Sequence, residues 1–264
     1  MNITKRYMTM NRCYTNPTKI NVTKLVLHSL GCAQPNANVL IDSWNNAEAG
    51  VSIHAFIMDT GIIQTLPWDY KAWHVGKGSK GSYNSCSIGV EICEPSGHKY
   101  NGGTMVNYDV KKNAEYFAKV YMNAVELFAF LCKENNLDPM KDIVCHSEVH
   151  QLGYGSNHAD VMQWFPRHGK SMDAFRIDVK ALLDASYKPK STIAVNSSPD
   201  DINWLKLKIN NALIGNSYIP LELNGVYDNK TRIAVLILWE SFGWNKDGAD
   251  DGWRAGKKTI DKLA

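Results

Sequence analysis

The sequence predicts an α/β fold, a mixed β-sheet flanked by helices, followed by a small, mainly α-helical domain of three helices. Three observations predict it. Short apolar runs with polar borders are interleaved with longer segments of helical period. Two of the runs are joined by Asp59-Thr60-Gly61, a hairpin turn, so the sheet is mixed rather than all parallel. Past residue 187 the composition shifts, and the chain beyond residue 200 has helical period.

Each element is justified by its own residues. Lys24-Leu25-Val26-Leu27-His28 reads as a short buried strand. Residues 35–46 carry Val39, Leu40 and Trp44 near helical spacing and predict a helix. Residues 52–58 and 62–66 form the hairpin, with Gly61 at its turn. Residues 87–93, Ser-Ile-Gly-Val-Glu-Ile-Cys, are a further strand. Over 109–135, Val110, Ala114, Phe117, Tyr121, Ala124, Phe128 and Leu131 step by three or four, one packed helix face, with Asp109 as N-cap. Asn136-Leu137-Asp138-Pro139 ends that helix, and Ile143-Val144-Cys145 is a short apolar segment. A last helix covers 171–185. Residues 187–199, with prolines and Ser/Thr, read as a linker between a domain at 1–186 and another at 200–264. In the second, Ile202, Leu205, Ile209 and Leu213 mark one helix. Asn224-Gly225 turns into a second near 229–242, and Ile260 and Leu263 mark a third.

Composition bounds the function. In 264 residues, 44% are hydrophobic, enough for a sizeable core. The net charge of +3 and the lack of a Lys/Arg-rich run point away from nucleic acid. No apolar run approaches the about 18 residues of a membrane span, so no membrane insertion is expected. The first residues lack the apolar core of a secretory signal, which predicts synthesis in the cytosol with no export route of its own. The six cysteines show no C-x-x-C pair and are expected to be reduced, Cys86 and Cys93 acting as small hydrophobes.

Residues 145–166, CHSEVHQLGYGSNHADVMQWFP, concentrate the chemistry. His146 ends an apolar segment as His28 does, so the two can face one point from adjacent strand ends. With Asp160 they would make a three-ligand zinc site whose fourth position stays open for water. Rival sets stand beside this one. His146 and His150 have the i, i+4 spacing of ligands on one helix face, although Gly153 and Gly155 argue against a helix there. Cys145 points away from His146 along a strand, and Glu148 reads equally as a solvated loop residue. Glu91 lies mid-strand among apolar neighbours, where a charge is costly unless partnered or facing a cleft. It is either the base of a hydrolase or an edge-strand glutamate in solvent.

At these residues the chain resembles the zinc-dependent N-acetylmuramoyl-L-alanine amidases of the type-2 group, to which phage lysins and peptidoglycan recognition proteins are related. The resemblance covers roughly residues 20–185. It is carried by LVLHS, SIHAFIMDTGIIQTLP, AWHVG, NSCSIGVEICE, VCHSEVH and SNHADVMQWFP, in this order and spacing. It implies His28, His146 and Asp160 as ligands of one zinc ion and Glu91 as catalytic base. His158 stands where many members have a lysine that steadies the oxyanion. A histidine there does that work by donating an N–H or when protonated. Ile53 stands where some relatives carry a tyrosine. His74 reads either as a substrate contact or as a surface residue; His54 reads as a packed strand residue, and His98 and His168 as solvated loop residues. Trp164 and Phe165 read as loop anchors.

The implied reaction is hydrolysis of the amide between the lactyl group of N-acetylmuramic acid and L-alanine, with peptidoglycan as partner. A phage or prophage lysin, released by a holin-type pore or by lysis, is consistent with the missing signal. Two alternatives are a recognition protein that binds the wall without cutting it, and a zinc endopeptidase of the stem peptide. The tail, with Gly225, Asp228, Thr231, Ala234 and Val235 in the order Gly-x-x-Asp-x-x-Thr-x-x-Ala-Val, resembles the three-helix peptidoglycan-binding domain. Trp244 and Trp253 are candidate sugar platforms there, or buried core.

Overall fold

The computed structural model describes residues 3–184, 189, 191–215, 218–244 and 251–264. The chain divides into two compact units, Met1–Arg176 and Ile177–Ala264.

The elements run β1 (Ile3–Lys5), α1 (Arg12–Thr15), β2 (Lys24–Ser29), α2 (Ala37–Trp44), β3 (Ala55–Met58), β4 (Gly61–Gln64), β5 (Ser87–Ile92), β6 (Lys99–Asn101), β7 (Thr104–Val106), α3 (Ala114–Asn135), α4 (Pro139–Asp142), β8 (Ile143–Cys145) and α5 (His146–Gln151) in the first unit, and then α6 (Met172–Leu183), within which the division between the units falls. Six strands form one sheet in the order β1-β4-β3-β5-β2-β8. β3, β5, β2 and β8 are parallel, and β4 turns back antiparallel to β3. The sheet is mixed, as expected, and helices flank it.

The central strands are apolar on both faces because both faces are covered. Leu25, Leu27, Val90 and Ile92 are fully buried on one face, and Val26 on the other. α2 packs Ala37 and Ile41 with Phe56 and Ile63 of the hairpin. α3 lies against β3 and β4 and is stapled by Asn123 Nδ2, which donates to the Met58 carbonyl at 2.8 Å. Phe175 of α6 meets Phe128 of α3 edge-on at 5.1 Å.

Several expectations need correction. α3 starts at Ala114 with Asn113 before it, and not at Asp109, whose carboxylate accepts the Lys112 N–H in a preceding turn. Val110 is accordingly exposed. A helix does follow β8. α5 is only six residues long and is held by Glu148, whose carboxylate accepts the Cys145 N–H and the Arg176 guanidinium, so Glu148 is a structural partner. Cys93 is buried as expected, whereas Cys86 is half-buried; no cysteine of the chain is in a disulfide.

The second unit contains β9 (Ile193–Ala194), α7 (Pro199–Leu213), α8 (Asn229–Ser241), β10 (Arg254–Ala255) and α9 (Lys257–Leu263). The three helices appear as predicted. Ile202, Leu205, Ile209 and Leu213 of α7 pack with Ala234, Val235 and Leu238 of α8 and Ile260 of α9. Asp228 caps α8 by accepting from Thr231 N–H. Gly225, at φ 69°, makes the turn where a Cβ would press on Pro199. β9 pairs antiparallel with β10, so residues 193–194 of the expected linker belong to this unit. The expected helix end at Ala185 and the start of the linker at Tyr187 lie outside the described residues. Trp244 packs against the helical core, while Trp253 is more exposed.

Candidate metal centre

Parallel pairing brings three residues side by side at the C-terminal ends of β5, β2 and β8. His28 is the register partner of Glu91. Leu27 is the partner of Cys145, so His146 follows at the same tip. Ligands of open parallel sheets gather at such ends. The far side of the site comes from Asp160, which sits at φ 45°. Aspartate tolerates this left-handed backbone better than most residues do.

His28 and His146 are buried. The Asp160 carboxylate Oδ2 lies 2.8 Å from His28 Nδ1 and 3.3 Å from His146 Nδ1. The rings of His28 and His146 meet edge-on at 4.9 Å. One donor atom from each of the three residues falls within 4.8 Å of the others. Cys145, Glu148 and His150 are not in this group; His150 is exposed, and its Nδ1 lies 3.2 Å from the Gly155 carbonyl.

Electrostatics separates the two acids of the site. Burial by itself would raise the Asp160 carboxyl, but the close approach of the His146 and His28 side chains outweighs it and lowers the carboxyl to about 2. Burial pushes the Glu91 carboxyl well above the usual range, and the charges of Asp160 and Glu94 push it further. Glu91 Oε2 is buried with no hydrogen-bond partner. A buried polar atom without a partner costs about 1–3 kcal/mol, and active sites are where such costs are tolerated.

His74 is a neighbour of the group. Its Nδ1 lies 2.9 Å from His28 Nε2 and its Nε2 lies 3.2 Å from Ser87 Oγ. Burial, with the nearby His28, His54 and His146 rings, lowers it well below the ordinary histidine value. Its ring sits directly over Gly89, where a Cβ would come within 2.4 Å of Nδ1. His158 is exposed and stacks on His146, with ring centroids 4.6 Å apart and 16° between planes.

The other histidines are structural. His54 is fully buried, accepting the Gly89 N–H on Nδ1 and facing the Tyr70 carbonyl with Nε2. His98 and His168 are not solvated as expected. His98 is buried against Glu94 at 2.8 Å, and His168 stacks on Phe117 at 4.0 Å while meeting the Tyr108 hydroxyl at 2.7 Å. Trp164 and Phe165 are buried anchors; the Trp164 indole donates to Tyr108. Sequence reasoning gives no role to Ser87, Gly89 or Ser156. A glycine inside a strand does signal close approach of another group; nothing marks the two serines.

The profile of the family described as N-acetylmuramoyl-L-alanine amidase matches residues 17–162, more than half of the chain. The chain belongs to this amidase family. The matched span contains His28, His74, Glu91, His146, His158 and Asp160 and ends before the second unit. The amidase CwlA of a Bacillus species is 31% identical over 132 residues, 50% of this chain and 46% of its own length. The amidase CwlH of Bacillus subtilis strain 168 is 36% identical over 104 residues, 39% of this chain and 34% of its own. The chain thus spans about half or less of the curated amidases it matches. Among solved structures, the catalytic domain of XlyA superposes with TM-score 0.51 at 23% identity, over 68% of this chain and 99% of that one. The Staphylococcus aureus hydrolase AmiA, in complex with its ligand, superposes with TM-score 0.54 at 22% identity, over 70% and 85%. These likenesses carry the fold: a central mixed sheet with flanking helices.

Proposed function

We propose that the chain hydrolyses the amide between N-acetylmuramic acid and L-alanine in peptidoglycan, with one zinc ion at His28, His146 and Asp160. One observation carries the reading. Three ligand atoms lie within 4.8 Å of one another, and Glu91, the register partner of His28, keeps an enclosed oxygen with no partner. Two imidazole nitrogens and one carboxylate suit zinc with an open fourth position. Zinc held there supplies Lewis acidity, bringing a water toward a pKa of about 7 and polarising a carbonyl.

The chain's own groups do the rest. Glu91 accepts a proton on its free Oε2 and returns it to the leaving amine of L-alanine. Burial raises its carboxyl above the ordinary glutamate range, the direction in which a carboxylate that must take and return a proton is tuned. Asp160, held ionised, keeps both imidazoles turned to one point. His158, exposed and stacked on His146, stands where an N–H can meet a developing oxyanion. The chain is read as a phage or prophage endolysin that reaches its wall after release by a holin-type pore or lysis. The unit after residue 200 is read as a wall-binding module joined near 187–199.

The test is mass spectrometry of digested cell walls. New L-alanine amino termini together with free lactyl carboxyls are expected. Termini inside the stem peptide would assign an endopeptidase, and wall binding without new termini a recognition protein.

A further inference from the structure

The geometry points to two proton-ordered chains of hydrogen bonds that set the tautomers of His28 and His146, with His74 and Ser156 as the positioning residues. The inference rests on the reading of His28, His146 and Asp160 as metal ligands, and it assigns His74 to His28 rather than to substrate.

The first chain starts at a group that can only accept. Ser87 Oγ donates to the Tyr83 carbonyl at 2.6 Å. A hydroxyl has one proton, so toward His74 Nε2, 3.2 Å away, Ser87 Oγ accepts. His74 Nε2 therefore carries the proton. No carboxylate is among the ring's hydrogen-bond partners, so a neutral ring leaves Nδ1 as a lone pair. That lone pair faces His28 Nε2 at 2.9 Å, so His28 carries its proton there. His28 Nδ1 is left as a lone pair aimed at Asp160.

The second chain has the same logic and one link fewer. Ser156 Oγ donates to the Val75 carbonyl at 3.2 Å. It therefore accepts from His146 Nε2, also at 3.2 Å, which leaves His146 Nδ1 as a lone pair aimed at the same Asp160 oxygen. Two lone pairs and a carboxylate oxygen then face one point with no proton among them. A cation reconciles them.

Both chains are anchored in one segment. His74 and Val75 are consecutive, and Asn84 Oδ1 accepts both of their backbone N–H groups at 3.0 Å. Gly89 provides the space that the His74 ring occupies. The Ala-Trp-His-Val-Gly segment thus orients both imidazoles. Partners of this kind fix ring orientation and tautomer, and their loss typically costs 10–100-fold in metal affinity.

The experiment is nitrogen-15 NMR of the histidine rings in the zinc-loaded protein, beside zinc affinities measured by chelator competition. The expected spectrum has His28 and His146 protonated on Nε2 and metal-bound through Nδ1. Either ring protonated on Nδ1 would overturn the proposal. His74→Leu and Ser156→Ala should each weaken zinc by about 10–100-fold. His74→Asn, which keeps an acceptor near the position of Nδ1, should recover most of the loss. Unchanged affinity in both His74→Leu and Ser156→Ala would also overturn it. The spectrum needs no variant, so a variant that fails to fold leaves the test intact. Neither readout is amide hydrolysis: a protein with these tautomers and no amidase activity keeps this inference and loses the proposed reaction. A wild-type protein that binds no zinc overturns both.

Discussion

Two glutamates, three residues apart, lie at the end of the same strand and end differently; Glu94 is buried, and Glu91 is half-buried with its Oε2 enclosed. Glu94 has both carboxylate oxygens occupied: it accepts the Gly31 N–H at 3.0 Å, faces His98 Nε2 at 2.8 Å and accepts the Tyr100 hydroxyl. Glu91 keeps an oxygen with no partner, beside a histidine pair turned toward Asp160. Both carboxyls are raised, by burial first; at Glu94 several hydrogen bonds pull back against it. The glutamate carboxylate is thus fully hydrogen-bonded in one place and open in the other. Residue type does not separate them. Unused hydrogen-bonding capacity on the carboxylate does: both Glu94 oxygens have partners, whereas Glu91 Oε2 has none.

The comparison can be broken by substitution. The largest effect is expected from Asp160→Ala, which removes the oxygen on which both imidazoles converge. Purified protein should lose stoichiometric zinc by elemental analysis and its amidase activity with it. Next comes Glu91→Gln, which should keep zinc and lower kcat by about 10²–10⁴-fold. The same variant should be more stable than wild type in the zinc-free protein at pH 8. A carboxyl raised in the folded state binds its proton more tightly than in the unfolded chain, so its stabilisation is complete at low pH and lost as pH rises through the raised value. Gln at 91 escapes that loss, and each kcal/mol should appear as a Tm gain of about 2–4 °C. Glu94→Gln, which loses the hydrogen bonds its carboxylate accepts from Gly31 and Tyr100, should gain less stability than Glu91→Gln in the same melts, while activity stays within about tenfold. A Glu94→Gln variant as inactive as Glu91→Gln would erase the distinction. The smallest effect is expected from His150→Ala, with zinc content and kcat unchanged.

Much of the fold was legible. β2 and β5 are continuous apolar runs because both faces of the sheet are covered, and the hairpin announced itself through Asp59-Thr60-Gly61. β1, β6 and β7 were not legible: each has three residues with mostly polar or exposed side chains, and pairing rather than periodicity makes them strands. α5 hides for a related reason, since Arg176, well along the chain, holds it through Glu148. Asp109 reads as a cap in the sequence, but its carboxylate serves a turn before the helix, and Val110 stays outside the packed face.

The site was legible in its parts and not in its assembly. His28 and His146 are far apart in sequence and become neighbours through the pairing of β2 with β8, which no local spacing encodes. The family resemblance supplied the set, and the geometry gathers the same three residues. His98 misled because its partner, Glu94, lies outside any helix that would make an i, i+4 pair readable. The serines behind the imidazoles are invisible in the sequence because a hydroxyl that orients a ligand looks like any other.

The most direct measurement is zinc-edge X-ray absorption of the purified protein. The account predicts a first shell of nitrogen and oxygen only, at about 2.0–2.2 Å, with the scattering of two imidazoles. A sulfur at about 2.3 Å, which would bring Cys145 into the shell, or a single imidazole would contradict it.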